Sequence, residues 1–337
     1  MFYDTTADCL ALLKIAFNSI MPTIPTLHLK DFTEGDAAQR AAFIENLGKA
    51  YSDIGFVAVT GHGLAEADRE KLYQAVEKIF SLPEKTKQQY EVPGLGGQRG
   101  YTSKGKEHAK GRSVGDLKEF YQVGQTVVGE ELPKDVYPDN VWPQEVPEFE
   151  AATQHAYRTL EHAGREILRA IALYLELPED YFDAKIHNGN SILRAIHYFP
   201  LDPEAIDPEA VRSAAHEDIN LITLLMGASA EGLQVQTREG EWVAITAVPE
   251  AVVVNVGDML QRLTNNKLRS TTHRVVNPPR EKMNTSRYSI PFFLHPRAEM
   301  DLTCLDSCVS EETPRQYRDM TAGEYLEERL REIGLKA

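Results

Sequence analysis

The sequence predicts a mainly β protein with a sandwich or jelly-roll core and flanking α-helices that are largely N-terminal. From residue 191 onward, eight short segments rich in β-branched and aromatic residues are separated by turn signals such as Arg238-Glu239-Gly240. Before residue 191, apolar residues recur mostly at helical spacing. About eight short strands within about one hundred residues are typical of a sandwich or jelly roll.

The N-terminal region, residues 24–130, is predicted to be mixed α/β and to pack on this core. Residues 24–29 alternate like a short strand, and residues 56–59 are predicted as a second strand. Helices are expected from about 38 to 54 and from about 65 to 82. A further strand is predicted at 117–123. Residues 1–23 precede the first convincing element, so we interpret them as an extension, with Met21 as an alternative start.

The segment from Val92 to Val114 is rich in glycine and charge but matches neither a GxGxxG motif nor a P-loop. It is predicted to be either a long loop over a pocket mouth or a plain surface loop. In the first case Arg99 and Tyr101 are candidate substrate contacts.

The remaining chain divides into three parts. Residues 131–186 form a connection and the longest helix, about 148–175, whose apolar stripe is broad. Residues 187–300 form the β core, and residues 301–337 form a tail with a helix at 322–333. The predicted core strands are 191–199, 219–226, 233–237, 242–245, 251–256, 259–263, 269–276 and 287–295.

Composition restricts the class of partner. The formal net charge of −15 argues against nucleic acid or an anionic membrane as a partner and favours a small-molecule substrate. The sequence contains no run of eighteen or more apolar residues, so no transmembrane helix is predicted. Three cysteines without zinc-like or redox spacing predict reduced thiols and a cytoplasmic protein. Oligomeric state cannot be read from the sequence.

A candidate metal site begins at His216 and Asp218. On a predicted strand, side chains at i and i+2 leave the same face, so these two converge while Glu217 turns away. His273, on another predicted strand, follows 55 residues after Asp218. Two histidines and one carboxylate form the facial triad of non-haem Fe(II) sites, but zinc hydrolases also use three protein ligands. The triad alone therefore leaves the metal open.

Arg287 and Ser289 open the last predicted core strand with the same i, i+2 spacing. A buried arginine needs an anionic partner, and its planar fork binds a carboxylate through two hydrogen bonds. The pair is therefore a candidate clamp for the distal carboxylate of a diacid that reaches the metal. In the alternative interpretation, Arg287 pairs with one of the protein's own carboxylates.

Together these motifs resemble the isopenicillin N synthase-like branch of the Fe(II)/2-oxoglutarate-dependent oxygenases. The resemblance covers roughly residues 24–320 and rests on Ile24-Pro25, Gly55-Phe56 through Gly61-His62-Gly63, Arg99-Gly100-Tyr101, His216 through Leu225, Leu263-Thr264-Asn265-Asn266, His273-Arg274-Val275 and Arg287 through Phe293. It implies a double-stranded β-helix core with Fe(II) bound by His216, Asp218 and His273. It also implies 2-oxoglutarate bound by Arg287 and Ser289, O₂ as the oxidant, and no catalytic residue beyond the metal centre.

The chain departs from the branch at one motif. It has His197-Tyr198-Phe199-Pro200 where many relatives have Asn-Tyr-Tyr-Pro. Tyr198 is thus either a further cosubstrate contact or a packing residue, and His197 is expected to be a hydrogen-bonded strand histidine instead of a fourth ligand.

The resemblance implies oxidation of a small molecule, by hydroxylation or desaturation, with release of succinate and CO₂. The alternatives are an oxidase or cyclase like isopenicillin N synthase, which uses no 2-oxoglutarate, and a non-catalytic binding protein on the same fold. We expect the pocket walls to come from residues 99–106, from strand residues such as Leu193 and Ala195, and from the C-terminal tail.

Overall fold

The computed structural model describes residues 24–107, 115–127, 129–204, 210–226, 232–245 and 250–335. The predicted extension at residues 1–23 lies outside the described residues, as does part of the glycine-rich segment, residues 108–114.

The described chain forms two β-sheets. In chain order the strands are β1 (Thr26–His28), β2 (Phe56–Thr60), β3 (Gly100–Thr102), β4 (Glu119–Gly124), β5 (Ile192–Tyr198), β6 (Ser213–His216), β7 (Ile222–Met226), β8 (Leu233–Gln236), β9 (Trp242–Ala244), β10 (Val252–Val256), β11 (His273–Val275) and β12 (Arg287–Leu294). The larger sheet has the order β1-β2-β10-β7-β12-β5-β4-β3, and the smaller has the order β6-β11-β8-β9. Every pairing is antiparallel except that of β1 with β2. The N-terminal region thus contributes strands to both flanks of the large sheet.

The helices lie mainly on one side of the large sheet. They are α1 (Leu29–Thr33), α2 (Ala37–Asp53), α3 (Glu66–Ser81), α4 (Glu84–Gln88), α5 (Glu148–Tyr174), α6 (Asp183–Ile186), α7 (Asp258–Leu263) and α8 (Ala322–Glu332). Residues of α2, α3 and α5 share one apolar core with alternate residues of the large sheet. The predicted jelly-roll core with flanking helices is confirmed. In the described part of the chain, no helix combines the length and the apolar character needed to cross a membrane.

Helix α5 lies close to the sheet at Gly164. A Cβ placed on this residue would be 2.4 Å from Cδ1 of Leu294 in β12 and 3.4 Å from Cδ1 of Leu224 in β7. The missing side chain lets the helix axis approach β7 and β12, the second of which carries Arg287 and Ser289.

Successive residues of β5 face different layers. Leu193 and Ala195 pack in the apolar core beneath the helices, whereas Ile192, Arg194 and Ile196 line a cavity on the opposite face. This alternation is the ordinary consequence of the strand's two-residue period. The prediction that Leu193 and Ala195 form pocket walls is therefore wrong, because the adjacent residues of the strand face the cavity.

Two predicted elements differ from the structure. The segment predicted as a strand at 259–263 is helix α7, which buries Met259, Leu260 and Leu263. Short apolar runs of this kind fit a buried strand and a buried helix equally well. The predicted strand 219–226 begins only at Ile222, and the sequence does not predict strand β6, which lies just before it.

Candidate metal and cosubstrate site

Three side chains converge at one end of the small sheet. His216 is the last residue of β6 and His273 is the first of β11, and their Cα atoms are paired across the two strands. Asp218 follows two residues after His216 in an irregular segment, so the convergence does not arise from i, i+2 spacing along a strand. Asp218 Oδ1 lies 3.9 Å from Nε2 of His216 and 3.7 Å from Nε2 of His273. Together the three residues could hold a metal ion.

Backbone carbonyl groups fix the orientation of both imidazoles. Nδ1 of His216 lies 2.7 Å from the carbonyl oxygen of Ala214, and Nδ1 of His273 lies 3.1 Å from that of Thr271. Because a carbonyl oxygen only accepts, each Nδ1 carries the hydrogen and each Nε2 presents a lone pair to the shared point.

The two oxygens of Asp218 have different surroundings. Oδ2 accepts hydrogen bonds from Thr223 Oγ1 at 2.6 Å and from Asn255 Nδ2 at 2.9 Å, which leaves Oδ1 facing the histidines. Burial opposes ionisation of this carboxyl, but the neighbouring histidines and the two hydrogen bonds outweigh it and lower its pKa. Burial lowers the pKa of His216 to about 4. One carboxylate oxygen and two imidazole nitrogens form a donor set that fits Fe(II).

The triad opens onto a cavity of about 380 Å³ between the two sheets. Phe56, Tyr198, Ser289 and Phe293 contribute to its walls. Five side chains from the C-terminal segment cover another side, as predicted for the tail: Leu326, Arg329, Leu330, Glu332 and Ile333.

The predicted cosubstrate residues lie together on neighbouring strands. Arg287 and Ser289 are buried in β12, and Arg287 pairs with Tyr198 of β5, so that its guanidinium lies 4.9 Å from the centre of the tyrosine ring. Ser289 and Tyr198 line the cavity. Arg212, which sequence reasoning missed, is a second buried guanidinium 5.8 Å from the same ring. No motif in the sequence distinguishes Arg212.

His197 has a structural position, which confirms the sequence interpretation. Its Nδ1 hydrogen-bonds Glu119 Oε1 at 2.7 Å and its Nε2 hydrogen-bonds Ser286 Oγ at 2.9 Å. The ring stacks on Tyr288 with a centroid distance of 4.9 Å. With both nitrogens bound by protein groups, His197 is not a fourth ligand.

Arg99 and Tyr101 do not line the cavity. Arg99 is buried and donates hydrogen bonds to the carbonyl oxygens of Pro138 and Gln98 and to Gln125 Oε1. The hydroxyl of Tyr101, also buried, donates to carboxylates, of which Glu119 is one. Both residues therefore have structural roles, in contrast to the prediction that they contact substrate.

A jelly roll with this donor set is typical of non-haem metal oxygenases, and comparisons with known proteins agree. The family model described as the N-terminal region of the non-haem dioxygenase in morphine synthesis matches residues 24–145. The model described as the 2OG-Fe(II) oxygenase superfamily matches residues 189–296.

Relatives span nearly the whole chain. "Proline hydroxylase buaE" of Petromyces alliaceus is 32% identical over 320 residues, covering 91% of this chain and 98% of its own. A 2OG-Fe(II) oxygenase family protein from Caulobacter crescentus has a solved structure with a TM-score of 0.82 and 40% identity, covering 93% of this chain and all of its own. A full-length Neurospora crassa protein, solved in complex with α-KG (2-oxoglutarate), has a TM-score of 0.80 and 30% identity, covering 91% and 96%.

The chain belongs to the isopenicillin N synthase-like family of 2OG-Fe(II) oxygenases. It is an Fe(II)- and 2-oxoglutarate-dependent oxidoreductase, with O₂ as the oxidant implied by the dioxygenase type.

Proposed function

We propose that this protein oxidises a small molecule, by hydroxylation or by desaturation, and releases succinate and CO₂ from 2-oxoglutarate. One observation carries the proposal. Two imidazole nitrogens and one carboxylate oxygen converge on a cavity whose wall also contains Ser289 and Tyr198.

In this proposal His216, Asp218 and His273 hold the iron. Bound Fe(II), together with 2-oxoglutarate and O₂, supplies the oxidising power. Thr223 and Asn255 hold Asp218 Oδ2 so that Oδ1 stays directed at the metal position. The carbonyls of Ala214 and Thr271 keep both imidazoles in the ligating tautomer.

Arg287, Ser289 and Tyr198 hold the distal carboxylate of 2-oxoglutarate. A guanidinium offers two parallel donors and the serine hydroxyl a third, which matches the oxygens of a carboxylate. Because these residues are buried, their hydrogen bonds to an anion act at low local dielectric and are correspondingly strong.

The size of the cavity supports a small metabolite as substrate. About 380 Å³ is near the lower end of the range for ligand pockets and must also accommodate the cosubstrate. The relatives support the same class, since one is named for proline hydroxylation and the Neurospora crassa protein has also been solved in complex with thymine. We also assign the protein to the cytoplasm, because Cys304 and Cys308 are free thiols.

The test is an anaerobic titration. Fe(II) is added to the metal-free protein, 2-oxoglutarate follows, and the absorption band of the iron-bound keto acid is recorded. Formation of the band is the expected result. An oxidase that does not use 2-oxoglutarate would give no such band, and this would contradict the proposal. In air, succinate release stimulated by individual metabolites then identifies the substrate.

A further inference from the structure

Four charged side chains form a cluster in the cavity wall, here called the Arg194 cluster: Glu107, Asp116, Lys118 and Arg194. Lys118 Nζ lies 2.6 Å from Glu107 Oε1 and 2.9 Å from Asp116 Oδ2. Arg194 Nη1 lies 3.0 Å from Glu107 Oε2. The site proposed for iron and 2-oxoglutarate uses none of these residues.

The Arg194 cluster extends along the cavity wall from Lys118, which lies near Tyr198, to Arg194 at the end of the cavity away from the cosubstrate residues. Arg194 precedes Tyr198 by four residues in β5, so both face the cavity about 13 Å apart along the strand. At the same end, Phe293 is near the end of β12, and His295 follows that strand. A substrate that occupies the space beyond the 2-oxoglutarate would contact this end.

The cluster is electrically balanced, with two carboxylates and two cations. Burial raises the pKa of Glu107, but Arg194 and Lys118 outweigh this effect and hold it at about 2. Nearby carboxylates likewise outweigh burial and raise the pKa of Lys118. Among the described cavity residues the remaining lysine or arginine, Arg329, is also ion-paired, with Glu328 and Glu332. Each lysine and arginine of the described wall is therefore paired with a carboxylate, so a substrate carboxylate would meet a cluster with no net charge instead of an unpaired cation.

The same end retains hydrogen-bonding atoms that have no partner among the described residues. Arg194 uses Nη1 for Glu107 and Nε for Gln122 Oε1, while its Nη2 has no acceptor among the described residues. His295 is 7% exposed and lines the cavity, and its Nδ1 has no hydrogen-bond partner in the described structure. Burial lowers the pKa of His295 to about 4, so its imidazole is neutral and offers one donor and one acceptor.

An aromatic surface accompanies these polar groups. The ring of Phe293 lines the cavity, and its centre lies 5.2 Å from the Arg194 guanidinium carbon. The centre of the Phe120 ring lies 4.2 Å from the same carbon. A flat ring that packs against Phe293 would have its edge near the guanidinium.

We propose that this end of the cavity recognises an uncharged cyclic amide or imide. Its carbonyl oxygen accepts a hydrogen bond from Arg194 Nη2, its adjacent N–H or second carbonyl bonds to His295, and its ring packs on Phe293. This assignment rests on the proposed function, since it names the substrate class of the same site.

Probe molecules that differ by one carboxylate test this assignment. The protein is loaded anaerobically with Fe(II) and 2-oxoglutarate until the keto-acid band forms, and uracil, glutarimide or orotate is then titrated by calorimetry. We expect both neutral rings to bind at least about tenfold more tightly than orotate, which is uracil with an added carboxylate. Tighter or equal binding of orotate overturns the assignment, and so does failure of both neutral rings to bind. A protein that never forms the band instead contradicts the proposed function itself.

Variants at Arg194 and His295 test which side chains recognise the ring. Arg194→Gln and His295→Phe should each weaken uracil binding by roughly tenfold and leave 2-oxoglutarate affinity unchanged. Arg169→Gln, which removes an ion-paired arginine outside the cavity, is the matched control. Unchanged uracil affinity in both cavity variants contradicts the assignment.

Glu107→Gln is the decisive variant, because it leaves Arg194 without its carboxylate. It should shift the preference between orotate and uracil towards orotate by roughly tenfold, since an uncompensated guanidinium attracts an anion. Misfolding cannot produce a gain in orotate binding. An unchanged preference in this variant overturns the charge-balance argument.

Discussion

The two oxygens of Asp218 give the first prediction at the scale of a single residue. Asp218→Asn removes the anionic ligand, so Fe(II) affinity should fall by more than about tenfold. Glu217→Gln is the matched control, because Glu217 lies outside the ligand set and is hydrogen-bonded to Thr272, and this change should leave Fe(II) affinity intact. Anaerobic equilibrium dialysis measures both variants. Equal losses in both would contradict the assignment of Asp218 as the ligand.

Arg287 gives a second prediction at this scale. Lysine keeps the positive charge but loses the planar fork, so Arg287→Lys should remove about 1.5–3 kcal/mol from 2-oxoglutarate binding, a loss of roughly tenfold or more. Anaerobic titration of the Fe(II) protein with 2-oxoglutarate measures the change, with Arg169→Lys as control. A wild-type affinity in Arg287→Lys would exclude the clamp.

Residue identities and spacing predicted the grouping of His216, Asp218 and His273 and of Arg287 with Ser289, whereas Tyr198 is indicated only by the family resemblance. The Arg194 cluster could not be predicted in this way, because it joins a loop residue to side chains on β5 and near β4. No motif or spacing in the sequence indicates that these separate segments meet. The substrate-contact prediction for Arg99 is wrong because a buried arginine hydrogen-bonded to backbone carbonyls has the same sequence appearance as a substrate-binding one.

At the scale of an element, the contact between α5 and the sheet is tight enough to test. Gly164→Ala places a methyl group against Leu294. Overpacking of this kind costs about 1–3 kcal/mol, offset by about 1 kcal/mol of improved helix propensity. The net free energy of unfolding should fall by up to about 2 kcal/mol in urea denaturation. Arg158→Ala, an exposed change on the same helix, should alter it by less than about 0.5 kcal/mol.

Helix α8 covers part of the cavity and is held by a buried hydrogen bond. The hydroxyl of Tyr325 donates to Asp258 Oδ2 at 2.8 Å, which joins α8 to α7. Tyr325→Phe leaves a buried carboxyl with one partner fewer, at a cost of about 1–3 kcal/mol. Amide hydrogen exchange in residues 322–332 should therefore accelerate and the substrate KM should rise. The exposed change Arg331→Gln on the same helix should do neither, and protected α8 amides in Tyr325→Phe would contradict this role.

Element types were predictable where the periodic pattern is long, as in α3 and α5, whose observed ends lie within one residue of the predicted ones. Strand β6 could not be predicted because Ser213-Ala214-Ala215-His216 lacks the β-branched and aromatic residues that favour strands. Its extended conformation is instead stabilised by pairing with β11. Helix α7 is wrongly predicted as a strand because its side chains are buried on several sides. Its sequence therefore lacks the helical spacing of apolar residues by which a helix is recognised.

At the scale of the whole molecule, buried ion pairs predict sensitivity to acid. Burial opposes ionisation of Glu119, but hydrogen bonds from His197, Lys87 and Tyr101 hold its pKa at about 2, below the ordinary 4.5. A carboxyl whose folded-state pKa is depressed stabilises the fold above its unfolded pKa and loses this contribution as pH falls towards 2. The free energy of unfolding should therefore decrease between about pH 5 and pH 2, and Glu119→Gln should flatten this dependence. An identical pH profile in that variant would contradict the prediction.

The order of the large sheet also limits how the chain can be divided. Strands β1 and β2 extend one side beyond β10, and β4 and β3 extend the other side beyond β5. A fragment containing only residues 187–300 would expose the backbone groups of β10 and β5 along two open edges, which promote association between chains. The strands of the N-terminal region thus cover both edges of the core part of the sheet. Protein fragments that lack this region should therefore aggregate when they are produced alone.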